Sequence, residues 1–160
     1  MAYVGLGSNV GNRPASLERA VVLLDSTPEI TITDVSSVYD TEPVGPPQAN
    51  FLNAVVRANT TLPARAIFER LKEIEGEMGR TPAERWGPRE IDLDLLLFGA
   101  EVIDERDLVI PHPELSNRAF VLVPLVELDP DIHIPLNGSA ADHLARVGTY
   151  GINPTAHALR

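Results

Sequence analysis

The sequence predicts an α+β fold of the ferredoxin-like kind, in which an antiparallel sheet carries its helices on one face and is extended at the C-terminus. Three observations lead to this prediction. One segment has the apolar stripe of a helix, at Ile67, Leu71, Ile74 and Met78. Segments that alternate apolar and polar residues lie before and after it, as the strands of a half-buried sheet do. The resulting order, βαββαβ followed by a further α and β, is typical of this fold.

Each strand is predicted from its alternation or its β-branched residues, and from the turn residues that bound it. In the segment 51–60, Leu52 and Ala54 would face one side of the sheet, whereas Phe51 and Asn53 would face the other. The predicted strands cover residues 2–6, 30–39, 51–60, 91–98, 108–110 and 132–134.

Prolines and glycines mark the ends of the predicted helices. Pro14 and Pro63 can each open a helix, because the first helical turn needs no hydrogen bond from their nitrogen. Gly79 is placed to end the second helix, and Pro124 would mark a kink or a boundary in the third. The predicted helices cover 14–25, 63–78, 116–128 and 139–146, and loops cover 41–49 and 80–90.

Length, charge and composition narrow the class of protein. The 160 residues are expected to form a single domain, 1–160, and 44% of them are hydrophobic. The net charge of -10 repels polyanions, so nucleic acid and anionic membranes are not expected partners. No cysteine is present, which excludes disulfides and thiolate chemistry. Since the sequence shows neither a secretory signal nor an apolar run near the roughly 20 residues of a membrane span, a cytoplasmic location is expected.

Two aspartates stand out on the predicted strand 91–98. Asp92 and Asp94 would point to the same face, about 6.6 Å apart at a rise of ~3.3 Å per residue. Carboxylates at this spacing can hold a pair of Mg²⁺ ions. Magnesium usually takes one or two protein carboxylates and completes its shell with phosphate oxygens and water. The alternative is a strand whose solvent face happens to carry two acids.

The loop before this strand is basic although the protein is acidic. Between residues 79 and 89 it contains Arg80, Arg85 and Arg89 against one glutamate, together with Trp86. Arginine binds phosphate oxygens through paired donors. A basic loop beside a metal pair therefore suits phosphoryl transfer, which depends on positioning and on neutralising charge. A solvated surface loop whose tryptophan packs on the core is the alternative.

A third motif surrounds His112. Prolines on both sides hold His112 in extended backbone, and Arg118 falls near the predicted start of a helix, where backbone N–H groups favour anions. A single histidine more often packs or lies on the surface than catalyses, so this motif alone leaves the role of His112 open.

The loop 41–49 and the strand after it could hold a flat, polar heterocycle. Phe51 could stack on such a ring, and Asn53 could hydrogen-bond its edge. An ordinary hairpin would show the same pattern, and only the neighbouring motifs favour the binding interpretation.

Together these segments resemble the 6-hydroxymethyl-7,8-dihydropterin pyrophosphokinase family. The string Arg85-Trp86-Gly87-Pro88-Arg89, followed by Asp92-Leu93-Asp94, is highly specific, and the order of the other segments agrees with it. The matching positions are 5–9, 36–43, 51–53, 79–80, 85–89, 92–94, 111–113, 118 and 120, and the likeness extends to about residue 131.

The resemblance implies an enzyme of folate biosynthesis that transfers the β,γ-diphosphate of ATP to the hydroxymethyl group of 6-hydroxymethyl-7,8-dihydropterin and releases AMP. It implies two Mg²⁺ ions, held with ATP by Asp92 and Asp94. Arg80 and Arg89 are expected to neutralise charge during catalysis, and we hypothesise that Asp94 also accepts the hydroxyl proton. Neighbouring enzymes of the folate pathway are natural candidate partners.

The resemblance also assigns binding residues. Pterin binding is expected at Thr41, Val44, Phe51, Asn53, Asp92 and Phe120. ATP binding is expected at Arg80, Trp86, Arg89, Leu95, Val109, His112 and Arg118. Two features depart from the family pattern: residues 81–83 include no basic side chain, and Pro113 stands where some members have an aromatic residue.

Two other functions remain open from the residues alone. A two-metal phosphodiesterase would use the aspartates and arginines, but it would leave Phe51, Asn53 and Phe120 without a role. A ligand-sensing domain would bind without turnover and without needing Mg²⁺. Release of AMP from ATP that depends on the pterin would separate these three functions.

Overall fold

A computed structural model describes residues 1–79 and 90–159, which form four α-helices and a six-stranded antiparallel sheet. The helices are α1 Arg13–Asp25, α2 Ala64–Glu77, α3 Ala119–Leu128 and α4 Ala140–Val147. The strands of the sheet are β1 Ala2–Ser8, β2 Ile30–Val35, β3 Tyr39–Thr41, β4 Phe51–Thr60, β5 Asp92–Phe98 and β10 Ile152–Pro154. Two ribbons pair β6 Ile103–Asp104 with β7 Val109–Ile110, and β8 His133–Ile134 with β9 Gly138–Ser139. Within the described ranges, no helix is both long and apolar enough to cross a membrane.

The sheet places β1 and β4 at its centre. Its order is β10-β3-β4-β1-β5, and β2 pairs with β4 beyond the end of β3. The register sets Gly7 of β1 between Asn53 of β4 and Asp92 of β5, and it sets Gly5 beside Asp94. Because side chains alternate along a strand, these residues share one face of the sheet.

One face of the sheet is closed by α1 and α2. The predicted stripe of α2 is confirmed, since Ile67, Leu71 and Ile74 are buried against the sheet and Met78 packs beside them. The even-numbered residues of β1 and β4 form the other side of this core, as the alternation of β4 predicted. The apolar side chains of the helices and the strands form one continuous core, which stabilises the sheet because it removes apolar surface from water.

The opposite face is also partly covered, so the prediction that helices lie on one face is wrong for α3 and α4. Val121, Leu122 and Leu125 of α3 pack against Tyr3 and Val55, whose side chains leave the sheet on the face away from α1 and α2. Because nearly all of α3 is apolar, its sequence does not indicate which of its sides packs against the sheet. Residue 124, predicted to kink or bound a helix, lies inside α3.

Two strand predictions also need correction. The segment 30–39 is two strands, because Ser36 leaves the ladder and exchanges hydrogen bonds with Val55: its N–H donates to the Val55 carbonyl at 2.9 Å, and its Oγ accepts from the Val55 N–H at 2.9 Å. The strand β10 was not predicted, because three residues that include Pro154 show no usable alternation. It pairs with β3 and enlarges the sheet.

Candidate active site

A pocket of about 290 Å³ opens on the sheet face that α3 only partly covers. It lies over β1, β4 and β5, beside the start of α3 and the loop after β3. It brings together most of the residues predicted to bind a pterin, ATP or metal: Thr41, Val44, Phe51, Asn53, Asp92, Asp94, His112, Arg118 and Phe120. Residues from three motifs that are distant in sequence therefore share one cavity.

The other predicted positions have different outcomes. Leu95 and Val109 do not line the pocket; the Leu95 side chain is buried in the core beneath α1 and α2, and Val109 lies exposed on β7. Strand alternation explains the position of Leu95, because its neighbour Asp94 points into the pocket. Arg80, Trp86 and Arg89 lie outside the described residues.

Glycines form the floor of the pocket. Gly7 lies under Asn53, and a Cβ atom at residue 7 would come within 2.7 Å of Asn53 Oδ1. A side chain there would displace the amide, so the strand needs glycine at this point. The sequence motifs predicted no role for Gly5 and Gly7. Their alternate spacing on one face of β1 was the signal that could have identified them.

Asp92 and Asp94 lie side by side on the pocket face of β5, both half-buried. The backbone N–H of Leu93, between them, donates to Glu75 Oε2 at 2.9 Å. Glu75 belongs to α2 and is only 3% exposed, and its other carboxylate oxygen lies 3.4 Å from Lys72 Nζ. A buried, charged acceptor therefore fixes the strand segment that carries both aspartates.

The donor set fits magnesium. Asp92 and Asp94 supply only hard oxygen ligands. Among the residues that the structure describes, no larger cluster of three or more His, Cys, Asp or Glu side chains is arranged to hold a metal. Mg²⁺ needs no more than one or two protein carboxylates when substrate phosphates complete its shell. The open pocket beside the two acids leaves space for such a substrate.

Asn53 and Thr41 form a buried polar pair on the opposite wall. The Asn53 amide nitrogen donates to Thr41 Oγ1 at 2.5 Å, and both residues are less than 10% exposed. This bond directs Asn53 Oδ1 over Gly7. The wall thus presents a fixed amide acceptor and a second amide hydrogen, which suits a ligand edge with alternating donors and acceptors.

The short strand β3 is joined to α3 by hydrogen bonds. Glu127 of α3 accepts from the Tyr39 hydroxyl at 2.6 Å and from both the N–H and the hydroxyl of Ser37 at 2.9 Å. Burial and this carboxylate raise the pKa of Tyr39 to about 12. Because Tyr39 pairs with Asn53, the contact fixes the strand beside Asn53 against the C-terminal end of α3.

His112 is held as a neutral imidazole. Its Nδ1 accepts a hydrogen bond of 3.2 Å from the Glu114 backbone N–H, so the ring proton is on Nε2. Burial and, to a smaller extent, the positive charge of Arg118 lower the pKa of His112 to about 4. At neutral pH the residue can therefore donate a hydrogen bond without carrying charge.

Arg118 and Phe120 lie together at the start of α3. The Arg118 guanidinium carbon is 5.5 Å from the centre of the Phe120 ring, within the range of a cation–π contact. Arg118 is the N-cap residue of α3 and has extended backbone. Its cation is thus placed at the helix end that already attracts anions.

The loop between β3 and β4 is attached to the end of β1. The Asn9 amide donates to Gln48 Oε1 at 2.7 Å and to the Ala49 carbonyl at 3.0 Å. Arg13 donates to the Asn50 carbonyl at 2.9 Å. Val44, at the middle of this loop, is 53% exposed and lines the pocket mouth. The loop ends are therefore anchored, whereas its apolar middle faces the cavity.

Comparison with known proteins identifies the family of this chain. The family described as 7,8-dihydro-6-hydroxymethylpterin-pyrophosphokinase (HPPK) matches residues 3–130. The 2-amino-4-hydroxy-6-hydroxymethyldihydropteridine pyrophosphokinase of Bacillus subtilis is 48% identical over 129 residues, which cover 80% of this chain and 77% of that protein. The protein of the same name from Methylorubrum extorquens is 44% identical over 153 residues, 94% of this chain and 96% of its own.

Solved structures show the same fold. HPPK-DHPS of Plasmodium falciparum, crystallised with pteroate, aligns with a TM-score of 0.72 and 14% identity over 98% of this chain. An HPPK-DHPS in complex with substrates aligns with a TM-score of 0.69 and 13% identity over 91% of this chain. This chain spans 46% and 42% of those two chains, less than half of each. At such identity the likeness concerns the fold alone.

Proposed function

This chain belongs to the 7,8-dihydro-6-hydroxymethylpterin-pyrophosphokinase family, and we propose from that premise that the pocket on the sheet carries out its reaction. The chain is a pyrophosphokinase of folate biosynthesis: it transfers the β,γ-diphosphate of ATP to the hydroxymethyl group of 6-hydroxymethyl-7,8-dihydropterin and releases AMP. The observation that carries the assignment to this pocket is the meeting of two carboxylates, two phenylalanines and a fixed amide in one cavity.

The pterin is proposed to bind at the end of the pocket formed by β4 and α3. Phe51 and Phe120 both line this cavity and supply aromatic surfaces for the flat ring. Asn53, oriented by Thr41, hydrogen-bonds the ring edge, and Val44 covers it from the loop. Asp92 lies beside Gly7, between the pterin site and the phosphate site, and contacts the ring or its substituent.

The triphosphate is proposed to lie towards Arg118 and His112. Arg118 neutralises phosphate charge, and His112 donates from its neutral Nε2–H. The predicted contacts of Arg80 and Arg89, and the placement of Trp86, belong to the same proposal. Adenine is proposed to meet backbone groups near Leu95 and Val109, at the edge where β5 approaches β7.

Two Mg²⁺ ions are proposed to be held by Asp92 and Asp94 together with ATP. When bound, the ions would draw electron density from the phosphate oxygens and offset their charge. The aspartates contribute the ligands, and the Leu93 bond to Glu75 keeps those ligands on the pocket face.

The proposed transfer forms a bond between the pterin hydroxyl oxygen and the β-phosphorus of ATP. The bond between the β-phosphorus and the oxygen that bridges to the α-phosphate breaks, and AMP leaves with that oxygen. The hydroxyl proton must be accepted, and Asp94 is the proposed acceptor because it lies on the pocket face of β5. The loops 41–49 and 80–89, of which 80–89 lies outside the described residues, are proposed to close over the substrates and exclude water, which competes for the diphosphate.

The finer description of the fold and the partners is part of the same proposal. The strand order β5-β1-β4-β3 around α1 and α2 supports a ferredoxin-like unit, to which α3, α4 and β10 are added. The HPPK-DHPS structures support looking for contacts with other folate-pathway enzymes. A single domain over 1–160 remains a prediction.

The decisive experiment measures AMP formation from ATP and Mg²⁺, with and without 6-hydroxymethyl-7,8-dihydropterin. We expect AMP only when the pterin is present, and its loss in Asp92→Ala. Asp104→Ala removes an equivalent carboxylate from the exposed strand β6 and should retain the wild-type rate. Equal activity of Asp92→Ala and Asp104→Ala, in folded proteins, would exclude the assignment to this pocket. AMP formed without pterin would instead favour a phosphodiesterase.

A further inference from the structure

The C-terminal segment 138–155, which comprises β9, α4 and β10, lies beyond the residues matched by the family, 3–130. It nevertheless contacts both walls of the pocket. Helix α4 packs against α3 and against the short 3₁₀ helix Leu115–Asn117, and β10 extends the main sheet beside β3. None of its residues lines the pocket, so the segment can act on the site only through these contacts.

The first contact is made by Arg146 of α4. Its Nη2 donates to the Ser116 carbonyl at 2.9 Å and to Asn117 Oδ1 at 3.2 Å. These acceptors immediately precede Arg118, whose φ of -110° and ψ of 104° place it outside the regular helix. The direction of the Arg118 side chain therefore depends on how the 3₁₀ helix is held, and a charged donor on its carbonyl end holds it more strongly than a neutral one would.

His143 sets the position of the Arg146 side chain. Its Nδ1 lies 3.1 Å from Arg146 Nη2, and its Nε2 lies 2.7 Å from the Asn137 carbonyl. Since the carbonyl can only accept, Nε2 carries a proton, and Nδ1 is placed to accept from Arg146. The helix thus presents an oriented guanidinium to residues 116 and 117.

The second contact is made at the start of β10. The Glu42 N–H donates to the Gly151 carbonyl at 3.1 Å, directly after Thr41 has paired with Ile152. Gly151 has a φ of +76°, and a Cβ atom there would lie 2.5 Å from Glu42 Oε2. Further along, Thr155 donates from both N–H and hydroxyl to the Val38 carbonyl, at 3.0 and 2.8 Å.

We infer that the C-terminal segment is a positioning element for both substrates: Arg146 orients Arg118 on the phosphate wall, and Gly151 holds the backbone at Glu42, and through it Thr41 and Val44, on the pterin wall. The inference rests on the proposed assignment of the two walls. Neither Arg146 nor Gly151 lines the pocket, so both act through other residues. The two contacts involve different residues on different elements, which predicts that damage to each one affects a different substrate.

The test measures KM for ATP and KM for the pterin separately, together with kcat and the thermal midpoint. We expect Arg146→Ala to raise KM for ATP about fivefold and to leave KM for the pterin within about twofold. Arg146→Lys retains a charged donor and should recover most of the loss. Arg19→Ala, an exposed arginine of α1, is the matched control and should behave as the wild type.

The reverse pattern is expected at the other contact. Gly151→Ala should raise KM for the pterin about tenfold and leave KM for ATP within about twofold. Gly151→Asn tolerates the positive φ better but keeps the collision with Glu42, so it should show the same selectivity with a smaller loss of stability. This second variant keeps the test valid if the alanine variant does not fold.

Equal changes in both KM values in each variant, or no change in either, would overturn the inference. Wild-type turnover is measured first and tests the proposed function by itself. If the wild type does not form AMP, calorimetric titration with a non-hydrolysable ATP analogue and with the pterin replaces the kinetic constants. In that case Arg146→Ala should raise the dissociation constant for the ATP analogue, and Gly151→Ala should raise that for the pterin. Equal changes in both constants, or no change in either, would overturn the inference.

Discussion

The two faces of the central sheet are built from the same strands, but one face forms the core and the other lines the pocket. Under α1 and α2 the face is a closed apolar layer, in which Leu71 and Ile74 are fully buried. On the other face, α3 covers only part of the strands, and glycines, acids and an amide occupy the remainder. Successive residues of β1, β4 and β5 therefore alternate between the core, where they stabilise the fold, and the pocket, where they can take part in catalysis. Substitutions on the closed face should change stability, and those on the open face should change turnover.

The largest effect is expected on the open face, at Asp94. Asp94→Asn keeps the size of the side chain but removes the proton acceptor and a charged ligand, and it should lower kcat by about 10³-fold. The thermal midpoint should remain close to that of the wild type. Single-turnover AMP formation under saturating substrates measures the effect. Retention of near wild-type turnover would contradict the role of Asp94 as the proton acceptor.

The next effect is expected on the closed face, at Leu71. This side chain has no exposed surface, and Leu71→Ala should lower the free energy of unfolding by about 3 kcal/mol through lost burial and a residual cavity. At a temperature where the variant is folded, both KM values should be unchanged. Denaturant unfolding and steady-state kinetics on the same sample check both statements. A changed KM with unchanged stability would show that the faces are not independent.

A smaller effect is expected from the titration of His112. Its pKa is about 4 in the folded protein and about 6.5 in an unfolded chain. Between these values the unfolded state binds more protons, so the free energy of unfolding increases with pH over this window. The contribution is fully present above pH 6.5 and is lost as the pH falls towards 4. The free energy of unfolding is measured for the wild type and for His112→Asn at pH 7.5 and at pH 4.5. The difference between the two proteins should change by about 2 kcal/mol between these pH values. A pH-independent difference would contradict the burial of the neutral ring.

The smallest effect is expected at Gly7, where the two functions of the sheet meet. Gly7→Ala should raise KM for the pterin about fivefold, because the added methyl group displaces Asn53 Oδ1. Gly76→Ala is a suitable control, since a Cβ atom there meets nothing within 4 Å and alanine favours the helix. An unchanged KM for the pterin in Gly7→Ala would show that the Asn53 amide does not hydrogen-bond the pterin ring.

Much of this arrangement could be predicted from the sequence because it follows from alternation. Asp92 and Asp94, like Phe51 and Asn53, were placed on one strand face by their spacing alone. The specific motifs then indicated that the two strands serve one site. By contrast, α3 is apolar on most of its surface and gives no sign of the face that it covers. The strand β10 and the bond from Arg146 depend on contacts between distant residues, which no local pattern contains.

The glycine floor has a consequence for resistance to inhibitors. A compound that lies flat on Gly7 would touch backbone, and a point mutation cannot delete backbone. Any larger residue at this position that pushed the compound away would also push on Asn53, whose amide oxygen lies within 2.7 Å of the new Cβ atom. Escape by substitution at this point would therefore carry its own loss of substrate recognition, which makes the floor a more durable target than the exposed Val44 at the pocket mouth.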